Sequence, residues 1–252
     1  MSVLLSDLQD GILTLTFNRP ERANALNLEM IAALQEALRQ AEREESVRCL
    51  ILTGSGRAFG AGQDLEEIEA AAGTSIREHL QRTYNPLVLQ IRRLEKPVLA
   101  AIHGACAGAS LGIALACDLR LAATGTRFVV GFNGIGLVPD SGVSLFLPLL
   151  IGLGRATWFT WSNEPFSAEQ ALAWGMVQKV VPAEELQKAA QEVARELAAG
   201  PQKAFALTKR AFNRATLPQL KAILDYEAHL QEIAARDPEH LQRVRAFLAR
   251  RK

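Results

Sequence analysis

The sequence predicts an α/β fold with a helical C-terminal region, and three observations carry that prediction. Short apolar runs of strand length alternate with amphipathic stretches of helical period. Glycine-containing turns separate many of these segments. Beyond residue 182 the strand signals stop and the chain reads as almost wholly helical.

Taken in order, Asp10-Gly11 forms a hairpin turn, and ILTLTFN after it alternates as a strand does. Asn27 is an N-cap for a helix whose Met30, Ile31, Leu34, Ala37, Leu38 and Ala41 share one face. RCLILTG is a short buried strand, followed by the loop SGRAFGAGQDL. One amphipathic helix is expected over residues 76 to 93, with Leu80, Tyr84, Leu87, Val88 and Ile91 turned inward. KPVLAAIHG is another buried strand, and ACAGASLGIALACD passes from a small-residue loop into a tightly packed helix. LRLAA and RFVVGF are strands and SGVSLFLPLLIG is a helix. Ser167 and Gln170 form a capping box before ALAWG, and MVQKVV is one more strand.

The 252 residues suit one large domain, or one domain with a helical appendage, and 49% hydrophobic content is ample for a buried core. A formal net charge of +1 leaves no electrostatic footprint for nucleic acid. No apolar run approaches the roughly 18 residues of a membrane span. The N-terminus has neither the basic segment nor the apolar core of a signal peptide. Cys49, Cys106 and Cys117 lack CxxC spacing and read as reduced, buried thiols of a cytoplasmic protein. The four histidines form no ligand cluster, so no metal is expected.

Three short segments carry the candidate chemistry. FGAGQDL (59–65) and HGACAGAS (103–110) both follow buried strands and lead toward helices. Their small side chains leave backbone N–H groups open to a ligand oxygen, as an oxyanion hole requires. The alternative is that small residues only permit tight strand–helix packing. A phosphate-binding loop is excluded on the residues, because GK[ST] is lacking and GACAGA is not GxGxxG. In GIGLVPDSG (134–142), Asp140 is either an N-cap for the following helix or a base facing a substrate.

GRAFGAGQDL, KPVLAAIHGACAGASLGIALACDLRLA and GIGLVPDSG, with NRPERANALN and FSAEQALAWGMVQKVV, together resemble the crotonase family, the enoyl-CoA hydratase/isomerase superfamily. The resemblance runs along nearly the whole chain. It implies a crotonase-like spiral of ββα units over residues 1–199 and a helical trimerisation region over 200–252. It further implies a homotrimer or dimer of trimers, acyl-CoA substrates, and no cofactor beyond the coenzyme A of the substrate.

Position by position, the resemblance places the two oxyanion N–H groups on Gln63 and Ala109. It places Arg22, Ala23, Ala25, Ala61, Asp64 and Leu65 around the CoA moiety, although an Asp before a helix is also an N-cap. Phe247 and Arg250 match positions from which a neighbouring subunit reaches the CoA phosphates. The two glutamates of the family's hydratases fall on Gly112 and Phe132, so neither is present. Asp140 matches the aspartate of several family isomerases.

The pattern is most similar to the isomerases of phenylacetate degradation. These convert a ring-1,2-epoxide of phenylacetyl-CoA to oxepin-CoA, or shift a 3,4 double bond of a dehydroadipyl-CoA to 2,3. The rival readings are a Δ3,Δ2-enoyl-CoA isomerase or hydratase of fatty acyl chains, and a non-catalytic CoA- or RNA-binding member.

Overall fold

In the computed structural model, which describes residues 2–70 and 75–249, strands and helices follow one another in a spiral. Strands β1 (Leu4–Gln9) and β2 (Ile12–Phe17) form the expected hairpin. Asp10 and Gly11 take positive φ at its turn, as a two-residue hairpin loop requires. Strands β3 (Cys49–Gly54), β4 (Val98–Ile102), β6 (Leu119–Ala123) and β9 (Lys179–Val181) then add in parallel, giving the order β1-β2-β3-β4-β6-β9. A second sheet holds β5 (Ala105–Ala107), β7 (Arg127–Val129) and β8 (Phe166–Ser167).

The chain alternates between the two sheets. It passes from β4 to β5 and returns to β6 through helix α5 (Gly108–Ala116). It then passes from β6 to β7, runs through α6 (Val143–Ile151) and α7 (Leu153–Ser162) to β8 of the same small sheet, and returns to β9 through a further short helix, residues 168–173. Gly60 starts the pattern a turn earlier by bridging to Cys106 of β5. This is the ββα spiral that the resemblance implied.

Both faces of the large sheet are covered, which is why β3 is buried at every residue. Side chains alternate between the faces along each strand. Leu50 and Leu52 join the main core, with Met30, Leu34 and Leu38 of α1 (Leu28–Arg43). Cys49 and Ile51 face the other way, against Ala190 and Ala194 of α9 (Leu186–Ala199). Asn27 caps α1 by accepting from Met30 N–H at 2.9 Å. Ser167 and Gln170 form the complete capping box of α8 (Ala168–Ala173).

The single helix expected over 76 to 93 is two helices, α3 (Ile76–Arg82) and α4 (Tyr84–Arg93), broken at Thr83. Pro86 has no N–H for the Arg82 carbonyl, so an unbroken helix would leave that group unpaired. Gln35 of α1 instead donates to the Thr83 carbonyl at 2.7 Å and to that of Arg82 at 3.3 Å. The expected inward face survives the break, since Leu80, Tyr84, Leu87, Val88 and Ile91 are all buried.

The C-terminal helices α10 (Gln202–Thr216), α11 (Leu220–Ala235) and α12 (Pro238–Ala249) pack back on this body. Lys209 of α10 donates to Asp118 Oδ2 at 2.7 Å, and Asn85 of α4 donates to the Leu224 carbonyl at 3.0 Å. The three cysteines are buried and unpaired, and burial pushes the Cys49 and Cys117 thiols up to about 12. Among the described residues no helix is long and apolar enough to cross a membrane, and no three metal-ligating side chains cluster.

Candidate active site

The two small-residue loops meet. Gly60 N–H donates to the Ala105 carbonyl and Ala107 N–H to the Gly60 carbonyl, which lays residues 59–61 along β5. Beyond them, Gly62 takes φ +88°, and a Cβ there would lie 3.0 Å from the Ala107 carbonyl oxygen and 3.5 Å from Ala109 N. Only glycine adopts that backbone at such an approach without strain. Ser110, fully buried, ties the loops together by accepting from Gly62 N–H at 3.1 Å.

This convergence aims two backbone donors. The Gly62 carbonyl accepts from Leu26 N–H at 2.8 Å. Because a trans peptide holds its C=O and N–H antiparallel, the Gln63 N–H points away from Leu26. Ala109 is the second residue of α5, so its N–H is among those that the helix itself leaves unpaired. The partial positive charge of the helix N-terminus adds to it. The Gln63 side chain is also held: its amide meets His79 Nε2 at 2.9 Å, and burial pushes that imidazole below its ordinary value, favouring the neutral acceptor.

One turn along α5 from Ala109, Gly112 fixes where Asp140 lies. A Cβ on Gly112 would sit 2.6 Å from Ser141 Cβ and 2.7 Å from the Ser141 carbonyl oxygen. The segment carrying Asp140 therefore rests directly on the helix that supplies the Ala109 donor, and on the same face of it. Position 112 has room for no side chain. A Gly→Ala change inside a helix ordinarily stabilises by about 1 kcal/mol. Gly112→Ala should instead destabilise, by roughly 1–3 kcal/mol, as overpacked sites do; urea unfolding measures the sign.

Asp140 is 5% exposed, and both carboxylate oxygens are engaged. Oδ1 accepts from Ser141 Oγ at 2.7 Å and Oδ2 from Gln231 Nε2 at 2.6 Å. Burial pushes its carboxyl up to about 6 against these two stabilising bonds. A capping role for this side chain does not hold. Gly142 is the N-cap residue of α6, without a side-chain cap of its own. The carboxylate of Glu227, from α11, supplies the cap by accepting from Gly142 N–H at 2.9 Å and Ser144 N–H at 3.1 Å, and from the Ser144 hydroxyl.

Asp140, Gln63 and Ala109 open onto one cavity of about 510 Å³. Phe132, where a hydratase of the resembled family has a glutamate, puts an apolar ring on its wall, with Val129, Ile135 and Leu137 beside it. Ala61, Leu65 and Phe247 also line it, and Phe247 reaches it from α12 of the same chain.

Arg22, Ala23, Ala25 and Asp64 are not on the wall. Asn24, fully buried at φ +55°, shapes their turn by donating to the Ser55 and Ala58 carbonyls. Ala61 N–H donates to the Ala23 carbonyl, which joins that turn to the first loop. Asp64 pairs with Arg19 at 2.9 Å and accepts from Glu66 N–H at 3.2 Å, so it does cap α2 (Leu65–Ala70). Arg22 pairs with Glu66 at the surface. Arg250 lies outside the described residues.

Sequence reasoning missed Ser110, Asn24, Glu227 and Gln231. Ser110 stood within a quoted motif and Asn24 within another. Glu227 and Gln231 act 85 and 91 residues away from their partners, and no local pattern marks them.

The sequence profile of the enoyl-CoA hydratase/isomerase family matches residues 7–252. The chain is 42% identical to the 1,2-epoxyphenylacetyl-CoA isomerase of Escherichia coli (strain K12), over 100% of this chain and 97% of that protein. It is 39% identical to a probable enoyl-CoA hydratase of Rhodobacter capsulatus, over 97% and 94%. A crystal structure of an enoyl-CoA hydratase from Mycobacterium avium subsp. paratuberculosis K-10 superposes with a TM-score of 0.89 at 34% identity, covering 97% of this chain and 98% of that one. With a spiral fold, two converging glycine loops and a family match over nearly its full length, the chain belongs to the enoyl-CoA hydratase/isomerase family.

Proposed function

We propose that the protein is an acyl-CoA isomerase, in which Asp140 carries the proton and the Gln63 and Ala109 N–H groups hold the thioester oxygen. The observation that carries this reading is the composition of the cavity wall: among the described residues that line it, Asp140 is the only carboxylate. Hydration of an enoyl group needs one group to activate water and one to protonate the α-carbon. A double-bond shift needs a single base that gives back what it takes.

For a 3-enoyl thioester, ionised Asp140 removes a proton from C2 and the negative charge passes to the thioester oxygen. Both backbone donors and the α5 N-terminus stabilise that oxyanion. Protonated Asp140 then delivers the same proton to C4, giving the 2-enoyl product and restoring the carboxylate. A carboxyl pushed up to about 6 remains mostly ionised at neutral pH yet returns its proton readily. The apolar ring of Phe132 keeps the acyl pocket dry.

The named activity of the 42% identical relative supports 1,2-epoxyphenylacetyl-CoA as one substrate, opening to oxepin-CoA. A 3,4-dehydroadipyl-CoA double-bond shift uses the same groups. The turn holding Arg22, Ala23, Ala25 and Asp64 adjoins Ala61 and Leu65, and we assign it, with Phe247 and Arg250, to the CoA portion. Exposed Leu149, Leu153, Trp158 and Trp161 on α6 and α7 supply an apolar surface for a trimer or dimer of trimers.

The test compares two reactions of the wild-type protein, 3-hexenoyl-CoA isomerisation and crotonyl-CoA hydration, each followed by the absorbance of the conjugated thioester. The first should dominate by orders of magnitude. Hydration as fast as isomerisation overturns the reading. Parallel assays with 1,2-epoxyphenylacetyl-CoA and 3,4-dehydroadipyl-CoA rank the acyl groups.

A further inference from the structure

Residues 138–144, which carry Asp140, are gripped by two side chains one turn apart on α11. Gln231 is fully buried. Its Oε1 accepts from Val138 N–H at 3.1 Å and its Nε2 donates to Asp140 Oδ2 at 2.6 Å. A backbone N–H only donates, so the amide oxygen must face Val138 and the amide NH₂ must face Asp140. Gln231 is thus an obligate donor to Asp140 and cannot flip without breaking both bonds. Glu227, 2% exposed, takes the Gly142 and Ser144 N–H groups and the Ser144 hydroxyl beyond Asp140.

We infer that Gln231 is a positioning residue for the reaction: it fixes the rotation of the Asp140 carboxylate over the cavity and favours its ionised form, while Glu227 anchors the C-terminal side of the same segment. This rests on the reading of Asp140 as the proton carrier. Rotation matters because the carboxylate must reach two carbons of one bound acyl group in turn. A base free to swing would meet each at the wrong distance for part of the time. Ser141, on the neighbouring residue, moves with the segment and cannot fix it. Gln231, held at both ends on a separate helix, can.

The test uses Gln231→Leu and Gln231→Glu beside Asp140→Asn, all in the full-length protein, with 3-hexenoyl-CoA as substrate. Gln231→Leu should lower kcat by about 10²-fold with KM little changed. The low-pH limb of kcat, expected near Asp140's value of about 6 in the wild type, should move upward, because a donor to the ionised form is lost.

Gln231→Glu keeps an acceptor for Val138 N–H and tests the idea if the leucine variant does not fold. There a second carboxyl faces Oδ2, the two share a proton, and the limb should move up further. Among the described residues, Glu227 on α11, whose carboxyl burial pushes up to about 7, and Tyr84 on α4 feel Asp140's charge, and Arg243 on α12 lines the same cavity. All three stay in place in every variant, so a shift of the limb between wild type and the Gln231 variants reports on Gln231. Folded Gln231 variants with wild-type kcat and an unmoved limb, alongside an inactive Asp140→Asn, overturn the positioning role alone. Wild-type turnover by Asp140→Asn overturns the base assignment and this inference with it.

Discussion

Asp140→Asn lowers double-bond transfer by roughly 10³–10⁴-fold, the upper part of what a positioned acid–base group contributes, because one carboxylate serves both proton steps. The variant should otherwise leave the site intact. Gln231 can only donate to residue 140, so the asparagine oxygen turns toward it. The asparagine NH₂ then faces Ser141 Oγ, which can rotate to accept. Binding of an acyl-CoA, measured by calorimetry, should persist while turnover is lost.

The same variant should be more stable than the wild type at neutral pH. Asp140's carboxyl lies at about 6 in the fold, above its ordinary value of about 3.9. The unfolded chain therefore gives up this proton first, and the wild type loses stability as pH rises from about 4 to about 6. Asparagine escapes that loss, so the gap in urea unfolding should be on the order of 1–3 kcal/mol at pH 7 and close toward about pH 4. A destabilised, fully active Asp140→Asn is the opposite result on both counts.

The second large effect concerns a backbone donor, which among single substitutions only proline deletes. Ala109→Pro removes the N–H at the second residue of α5, where the first helical turn tolerates proline. The residue before it, Gly108, already has φ +52°, so it is not the helical conformation that proline disfavours in its predecessor. Loss of one oxyanion donor typically costs about 10²–10³ in rate. The loss should appear in kcat for every acyl-CoA that the protein turns over, whatever its acyl group. A variant that loses turnover with one substrate and keeps it with another would place the thioester oxygen elsewhere.

How much of this was legible in the residues follows from the range of each interaction. The Asp10-Gly11 turn, the Asn27 cap and the Ser167–Gln170 capping box span only a few residues, and all three appear as read. The two glycine loops were readable as candidates, but that they face each other depends on Gly60 pairing with Ala105 and Ala107 across β5. The break at Thr83 was within reach, since Pro86 sits in the expected helix, but strong amphipathic spacing on both sides masks it. Helix α7 was not anticipated. Asp140 looked like a cap because it precedes a helix, and the real cap, Glu227, lies on another helix of the fold. The role proposed for Asp140 as proton carrier was legible only through the resemblance and the two carboxylates lacking at Gly112 and Phe132.

The contact between Gly112 and Ser141 has a consequence for how such enzymes can diverge. A glutamate at 112 and the present placement of residues 140–141 compete for the same volume, so one protein of this shape cannot hold carboxylates at both 112 and 140 as they stand. On the proposed mechanism, a water-adding enzyme is therefore not one substitution at position 112 away. The loop that carries Asp140 would have to withdraw from α5 first, giving up the proposed proton transfer before a second carboxylate could be seated there.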